Sequence, residues 1–350
     1  MTAFGGIPAA AGAAPDTHPY ARLVELAVAP GRYERVAIVT TAFVEQVNSG
    51  ALDLPLPGSG ATFQRWTALA AIAEDDLCLA RLSEAHLDAL AILAELGGPS
   101  AAAATRWGVW AANPPSPAVT AQQAPGGWEL DGVKPWCSGA RACTHALVTA
   151  NAPDGYRLFA VELAGARPRP GTWAAVGMAG SDSLEVDLTG VAAEPVGGPG
   201  AYLDRPGFWH GAMAVAACWY GGAVGVARAL LLAGAKRPLE PHALAHLGAI
   251  DAELSAVGTA LRVAAGRVDA DPHDDQHEHQ VLAAQLRAQC ERAATEVLDR
   301  VGRALGAGPL CRDARHAGLA ADLPVYLRQS HAEADLAHLG TLALERGTSW

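Results

Sequence analysis

Leu305-Gly-Ala-Gly-Pro-Leu-Cys-Arg-Asp-Ala-Arg-His316, followed by Asp322-Leu-Pro-Val-Tyr-Leu-Arg-Gln-Ser-His331, is the most telling region of this 350-residue chain. A glycine-broken helix end leads straight into an Arg-Asp-x-Arg segment. Gly306 reads as the residue just past a helix C-terminus, because glycine enters the left-handed cap without penalty. Immediately upstream, Leu282, Leu286, Ala293, Val297 and Val301 fall on one helical face, and Arg287, Glu291, Arg292, Glu296 and Arg300 on the other. Downstream, Asp322 reads as the N-cap of a helix over 323–339, with Pro324 in its first turn.

Working outward, three zones appear. An Ala/Gly/Pro leader (1–15) precedes a helical region (16–107). In it Thr62 is a candidate N-cap, followed by Phe63, Trp66, Leu69, Ala70 and Ala73 on one face. Leu79, Leu82, Leu87, Leu90 and Leu93 then recur in a helix over 76–96, stopped by Gly97-Gly98-Pro99. Over 108–203 the period changes to two: Trp128-Glu-Leu130-Asp and Leu184-Glu-Val186-Asp-Leu188-Thr alternate, and 146–149 and 158–161 are shorter apolar runs. Gly and Pro clusters separate them, which favours a small β-barrel or sandwich. From 204 to 350 the helical period returns. This order excludes a doubly wound nucleotide-binding fold, and no Gly-x-Gly-x-x-Gly follows a strand.

A formal charge of −11 excludes a phosphate-backbone ligand and hence nucleic acid. The six cysteines lack paired metal spacing, so reduced thiols in the cytoplasm are expected. Residues 211–227 are uncharged and at the short limit for a membrane span; a buried bundle helix is the expectation. The run from Asp269 to His279, rich in Asp and His, reads as a solvated loop with its acids at a helix N-terminus, and no metal is expected.

Four segments carry a resemblance. Trp128-Glu-Leu-Asp-Gly-Val-Lys-Pro-Trp-Cys-Ser-Gly139, Gly177-Met-Ala-Gly-Ser-Asp-Ser183, Leu305-Gly-Ala-Gly308 and Arg312-Asp-Ala-Arg315 stand in the order found in the acyl-CoA dehydrogenase superfamily. The chain resembles that family over roughly residues 20–340. The resemblance implies an N-terminal helical domain, a middle β-barrel and a C-terminal four-helix bundle. It also implies FAD between barrel and bundle, in a homodimer or homotetramer.

Carried over residue by residue, the resemblance implies that Trp136 and Ser138 cover and hydrogen-bond the flavin. Gly306 and Gly308 would approach the pyrophosphate, and Arg237 would contact the dinucleotide of an adjacent subunit. The family's flavin-lining Thr-Glu-Pro segment corresponds to Ala112-Asn113-Pro114-Pro115-Ser116, so Ala112 and Asn113 would offer backbone groups only. Its catalytic Glu-Gly-Thr turn has no counterpart. The candidate bases are Asp322, which is also the expected helix cap, and Glu333 further along; His331 and Asp335 stand one turn apart.

Two enzymatic readings follow. One is dehydrogenation of an acyl thioester with an electron-transfer flavoprotein as acceptor. The other is a two-component flavin monooxygenase, since Arg312-Asp-Ala-Arg and Asp322-Leu-Pro-Val resemble that group's Arg-x-x-Arg…His-Asp-Pro-Val pattern, with Ala321 in place of the histidine. A third reading is a scaffold that has lost its flavin chemistry.

Overall fold

The computed structural model describes residues 19–112 and 119–347. Three helices come first: α1 (Pro19–Asn48), α2 (Thr62–Asp75) and α3 (Leu77–Leu96). Asp76 starts α3 by accepting the Cys78 and Leu79 amides, and Gly97 ends it at φ 68°. Thr62 does not cap α2; it is the helix's first residue. Its hydroxyl accepts the Gly58 amide and donates to Asp269, tying α2 to the distant bundle.

Nine strands follow: β1 (Trp107–Trp110), β2 (Thr120–Ala124), β3 (Gly127–Asp131), β4 (Val133–Cys137), β5 (His145–Ala152), β6 (Gly155–Glu162), β7 (Arg167–Arg169), β8 (Leu184–Asp187) and β9 (Val191–Val196). Six form a sheet of order β1-β5-β2-β3-β9-β6, and β6 also pairs with β5, so the hydrogen-bonded path returns on itself. The other three form a sheet of order β4-β8-β7. Period two has a direct physical outcome here. Ala146, Val148, Phe159 and Val161 point into the core between the sheets, whereas Leu147, Leu158 and Val196 face Ile92 and Leu93 of α3. Burying each large side chain contributes about 1.5–3 kcal/mol, which fixes register firmly. Lys134 is buried in this module, its ammonium donating to the Thr149 carbonyl and hydroxyl at 2.8 Å.

A single turn, α4 (Ala201–Asp204), leads to α5 (Gly207–Lys236), α6 (Pro241–Ala270), α7 (His279–Leu305), α8 (Ala307–Arg312), α9 (Ala314–Leu327) and α10 (Glu333–Arg346). Helix α5 contains the uncharged 211–227 run. Among the described residues it is the one helix long and apolar enough to cross a membrane, and 67% of its most apolar window is buried. It packs against α2, α3, α6, α7 and α9. Gly221 and Gly225 make the α2 contact close, since a Cβ at either would meet the carbonyls of Ala70 or Glu74.

The helix expected over 323–339 is in fact two. Asp313 is the true cap, accepting the His316 amide, and Asp322 lies inside α9 with Pro324. The chain then breaks before α10 at Ala332, which has φ 49°. Gly177, in the loop before β8, lies against α9 where any Cβ would fall on the Ala321 carbonyl. Replacing Gly177 with Ala forces backbone to move, so chemical denaturation should show a loss of about 3 kcal/mol.

Candidate functional site

A cavity of about 800 Å³ opens between the β-strands and the helices. That is within the range of about 300–1,000 Å³ found for small-molecule sites. Its strand-side wall is built first from a bulge. The β4–β8 register slips between Lys134 and Cys137, and Trp136 adopts φ 55°. A bulky residue in the left-handed region is strained, and such strain persists where it aims a side chain. Trp136 is left 58% exposed and lines the cavity.

Beside it three serines form a chain. Ser181 donates to the Met178 carbonyl at 2.8 Å; Ser181 and Ser183 oxygens are 2.8 Å apart, and Ser183 and Ser138 oxygens 2.9 Å apart. Each hydroxyl has one proton. Ser181 spends its own on Met178, so Ser183 must donate to Ser181, and Ser138 to Ser183. The Ser138 hydroxyl therefore meets any ligand as an acceptor. Trp110 holds this corner by donating its indole N–H to the Ser138 carbonyl at 3.0 Å.

Behind the serines, Asp322 locks the loop to the helices. Its Oδ1 accepts the Met178 amide at 2.5 Å, and its Oδ2 is 3.6 Å from the Cys78 thiol and 3.7 Å from Arg35, which also pairs with Asp76 at 2.8 Å. Burial raises the Asp322 carboxyl against the opposing pull of the Met178 amide and Arg35. Asp322 is not among the residues lining the cavity.

The opposite wall is polar. Arg81 and Glu84 of α3 form a 2.6 Å ion pair, Asp88 lies one turn on, and Arg205 pairs with Asp88 and Glu95. Glu84 is 5% exposed, and desolvation raises its carboxyl to about 7 despite Arg81. Tyr326 of α9 and Trp173, Phe208 and Trp209 complete the lining there. At the α7–α10 side Arg287 stacks on Trp219 at 4.6 Å, while Arg328 and Ser330 share Glu291.

Of the residues singled out from sequence, the fold brings Ala112, Trp136 and Ser138 together in this lining. Asn113 lies outside the described residues. Glu333 is exposed at the start of α10 and does not line the cavity; nor do Arg237, Gly306 and Gly308, all exposed. His331 and Asp335 form an exposed i,i+4 pair at 3.3 Å on its rim. Arg81, Glu84, Asp88, Arg205 and Tyr326 were not anticipated. Their one available signal was the spacing of Arg81, Glu84 and Asp88 along a single stripe of an otherwise apolar helix. In the 271–279 loop, potential ligand atoms of Asp271, Asp274 and His279 lie within 4.8 Å of one another. Both carboxylates already accept amides of that loop.

No protein-family model and no curated protein matches the chain. Solved structures do. TdsC from Paenibacillus sp. A11-2, a dibenzothiophene monooxygenase, superposes with TM-score 0.71 at 19% identity, over 90% of this chain and 97% of its own. KijD3, solved with FMN and a dTDP-linked amino-keto sugar, gives 0.73 at 17% identity, covering 96% of each chain. Methanesulfinate monooxygenase MsuC from Pseudomonas fluorescens gives 0.72 at 18%, over 91% and 97%. The chain has the acyl-CoA dehydrogenase fold. Within that fold, the bulge, the serine chain and the Asp322 junction occupy the faces between strands and bundle.

Two measurements probe this geometry. Asp322→Ala leaves the Met178 amide and Arg35 without a partner, so stability should fall by about 2–4 kcal/mol in urea titration. Glu84 has a folded-state pKa raised above its unfolded value, so its contribution is present below about 4.5 and lost as pH rises through about 7. Relative to Glu84→Gln, the parent protein should lose on the order of 3 kcal/mol across that window.

Proposed function

We propose that this protein is a flavin-dependent monooxygenase that acts on a small molecule with reduced flavin delivered by a separate reductase. One observation carries the reading: a strained tryptophan and a hydroxyl oriented as an acceptor share one wall of a roomy cavity. An exposed indole offers a flat face to a ring system. An accepting Ser138 suits reduced flavin, which carries more ring N–H donors than oxidised flavin does. Bound there, reduced flavin supplies the two electrons that let one atom of O₂ enter the substrate while the other leaves as water.

The chain's own residues fit this reaction better than dehydrogenation of an acyl thioester. Removing an α-proton needs a carboxylate facing the substrate. Asp322 is instead committed to Met178, Cys78 and Arg35, which makes it a positioning residue, and Glu333 is exposed off the cavity. The monooxygenases among the structural neighbours support the same choice, and the FMN held by TdsC and KijD3 supports FMN over FAD. An electron-transfer flavoprotein is then not required. The returning β5–β6 pairing supports reading the middle module as a barrel. Arg237, Gly306 and Gly308, exposed and off the cavity lining, correspond to contacts with a dinucleotide and its pyrophosphate, which FMN lacks, so they take no part in this reading.

Anaerobic titration with FMN separates the readings. Reduced FMN should bind more tightly than oxidised FMN, and Ser138→Ala should weaken the reduced form about tenfold while leaving the oxidised form nearly unchanged. Bleaching of bound FAD by an acyl-CoA would instead restore the dehydrogenase reading, and failure to bind either flavin would leave a scaffold.

A further inference from the structure

The α3 wall of the cavity holds chemistry that the flavin wall does not need. Arg81, Glu84 and Asp88 follow one another at i, i+3 and i+7, a stripe that helices normally turn to water. Here Glu84 is 5% exposed and the Arg81 side chain 15%. A buried ion pair of this kind roughly breaks even in stability against an apolar pair. Its place in a ligand-sized cavity gives it a recognition role instead. Arg81 occupies Glu84 Oε2; Glu84 Oε1 makes no hydrogen bond among the described residues. Near it, the Tyr326 hydroxyl is closed off from the cavity and packed against the Cys218 thiol of α5.

The charges fix what this corner accepts. Arg81 and Asp88 act on Glu84 from its own helix, Arg65 from α2, and uncharged Tyr326 and Cys218 sit nearby on α9 and α5. Arg81 is matched by Glu84, and Arg205 by Asp88 and Glu95, so neither cation is free for an anionic ligand. The adjoining walls are aromatic: Trp136, Trp173, Phe208 and Trp209. We propose that Glu84 is the specificity-determining group of the cavity, selecting a small neutral aromatic molecule that bears a hydrogen-bond donor, a phenolic O–H or a ring N–H. Glu84 Oε1 accepts that proton donor, and the ring lies against the aromatic walls. This deepens the monooxygenase reading and rests on it for the reaction that follows, but not for the binding.

Calorimetric titration of the purified full chain without flavin tests it, with phenol, indole, toluene and benzoate as probes. Phenol and indole should bind about ten- to a hundredfold more tightly than toluene or benzoate, as a hydrogen bond to a charged group allows. Phenol affinity should fall as the pH is lowered from about 8 to about 6, because Glu84 takes up a proton there and stops being a charged acceptor. Glu84→Gln should remove that pH step and cut the phenol-to-toluene ratio about tenfold. Tyr326→Phe should leave the ratio unchanged, because its hydroxyl is closed off from the cavity. Equal binding of phenol and toluene, binding of benzoate as tight as phenol, no binding of any probe, or a ratio unchanged in Glu84→Gln would overturn the proposal. A phenol preference that survives in a protein unable to bind flavin would remove only the monooxygenase reading.

Discussion

The carboxylate of Asp322 is the junction on which the site's geometry depends. It is one group reached from four directions: its own helix α9, the Met178 loop, Cys78 of α3 and Arg35 of α1. Burial opposes its charge, so it stays in place only because a backbone donor and a guanidinium compensate it together. The consequence reaches the cavity through Met178. That residue, at φ 59°, turns its amide to Asp322 while its carbonyl accepts from Ser181, the first link of the serine chain ending at Ser138. A carboxylate outside the cavity therefore sets the proton order of a hydroxyl that lines it.

The two sides of the cavity differ in how their polarity is satisfied. On the strand side every hydroxyl proton is assigned, which makes Ser138 a fixed acceptor. On the α3 side the ion pair leaves acceptor capacity open on Glu84. Satisfied networks rigidify a wall, whereas open valences in a dry wall are groups awaiting a partner. This asymmetry gives the two walls of the cavity different chemistry, one with its polar groups satisfied and one with acceptor capacity open.

Much of the fold was legible because burial imposes period. The apolar face of α7 and the alternation in β3 and β8 each have a wetter and a drier side, and these elements, with the leucine-rich helix α3, fell where expected. That Trp136 and Ser138 stand together was legible through a motif, and both line the cavity. Asp322 was misread as a cap because Asp followed by Pro two residues on looks like a helix start; the actual cap, Asp313, lies nine residues earlier, and Pro324 sits inside the helix. The α3 stripe was illegible for a different reason. Charged residues at helical spacing normally face solvent, and only the tertiary arrangement of α9 and the strands covers them.

That failure also explains why the motifs alone left the reaction open. Motifs lie where the backbone must take a special shape, such as the Trp136 bulge, the Met178 turn and the Gly177 contact with α9. Those shapes build the strand-side wall of the cavity and leave its other walls undetermined. The opposite wall is set by side chains on a regular helix, where Arg81, Glu84 and Asp88 obey no local constraint and leave no local signature. A fold shared with monooxygenases at under one-fifth identity is compatible with many substrates. A selective group is then to be sought where a polar side chain is buried with acceptor capacity left open, and Glu84 meets that criterion.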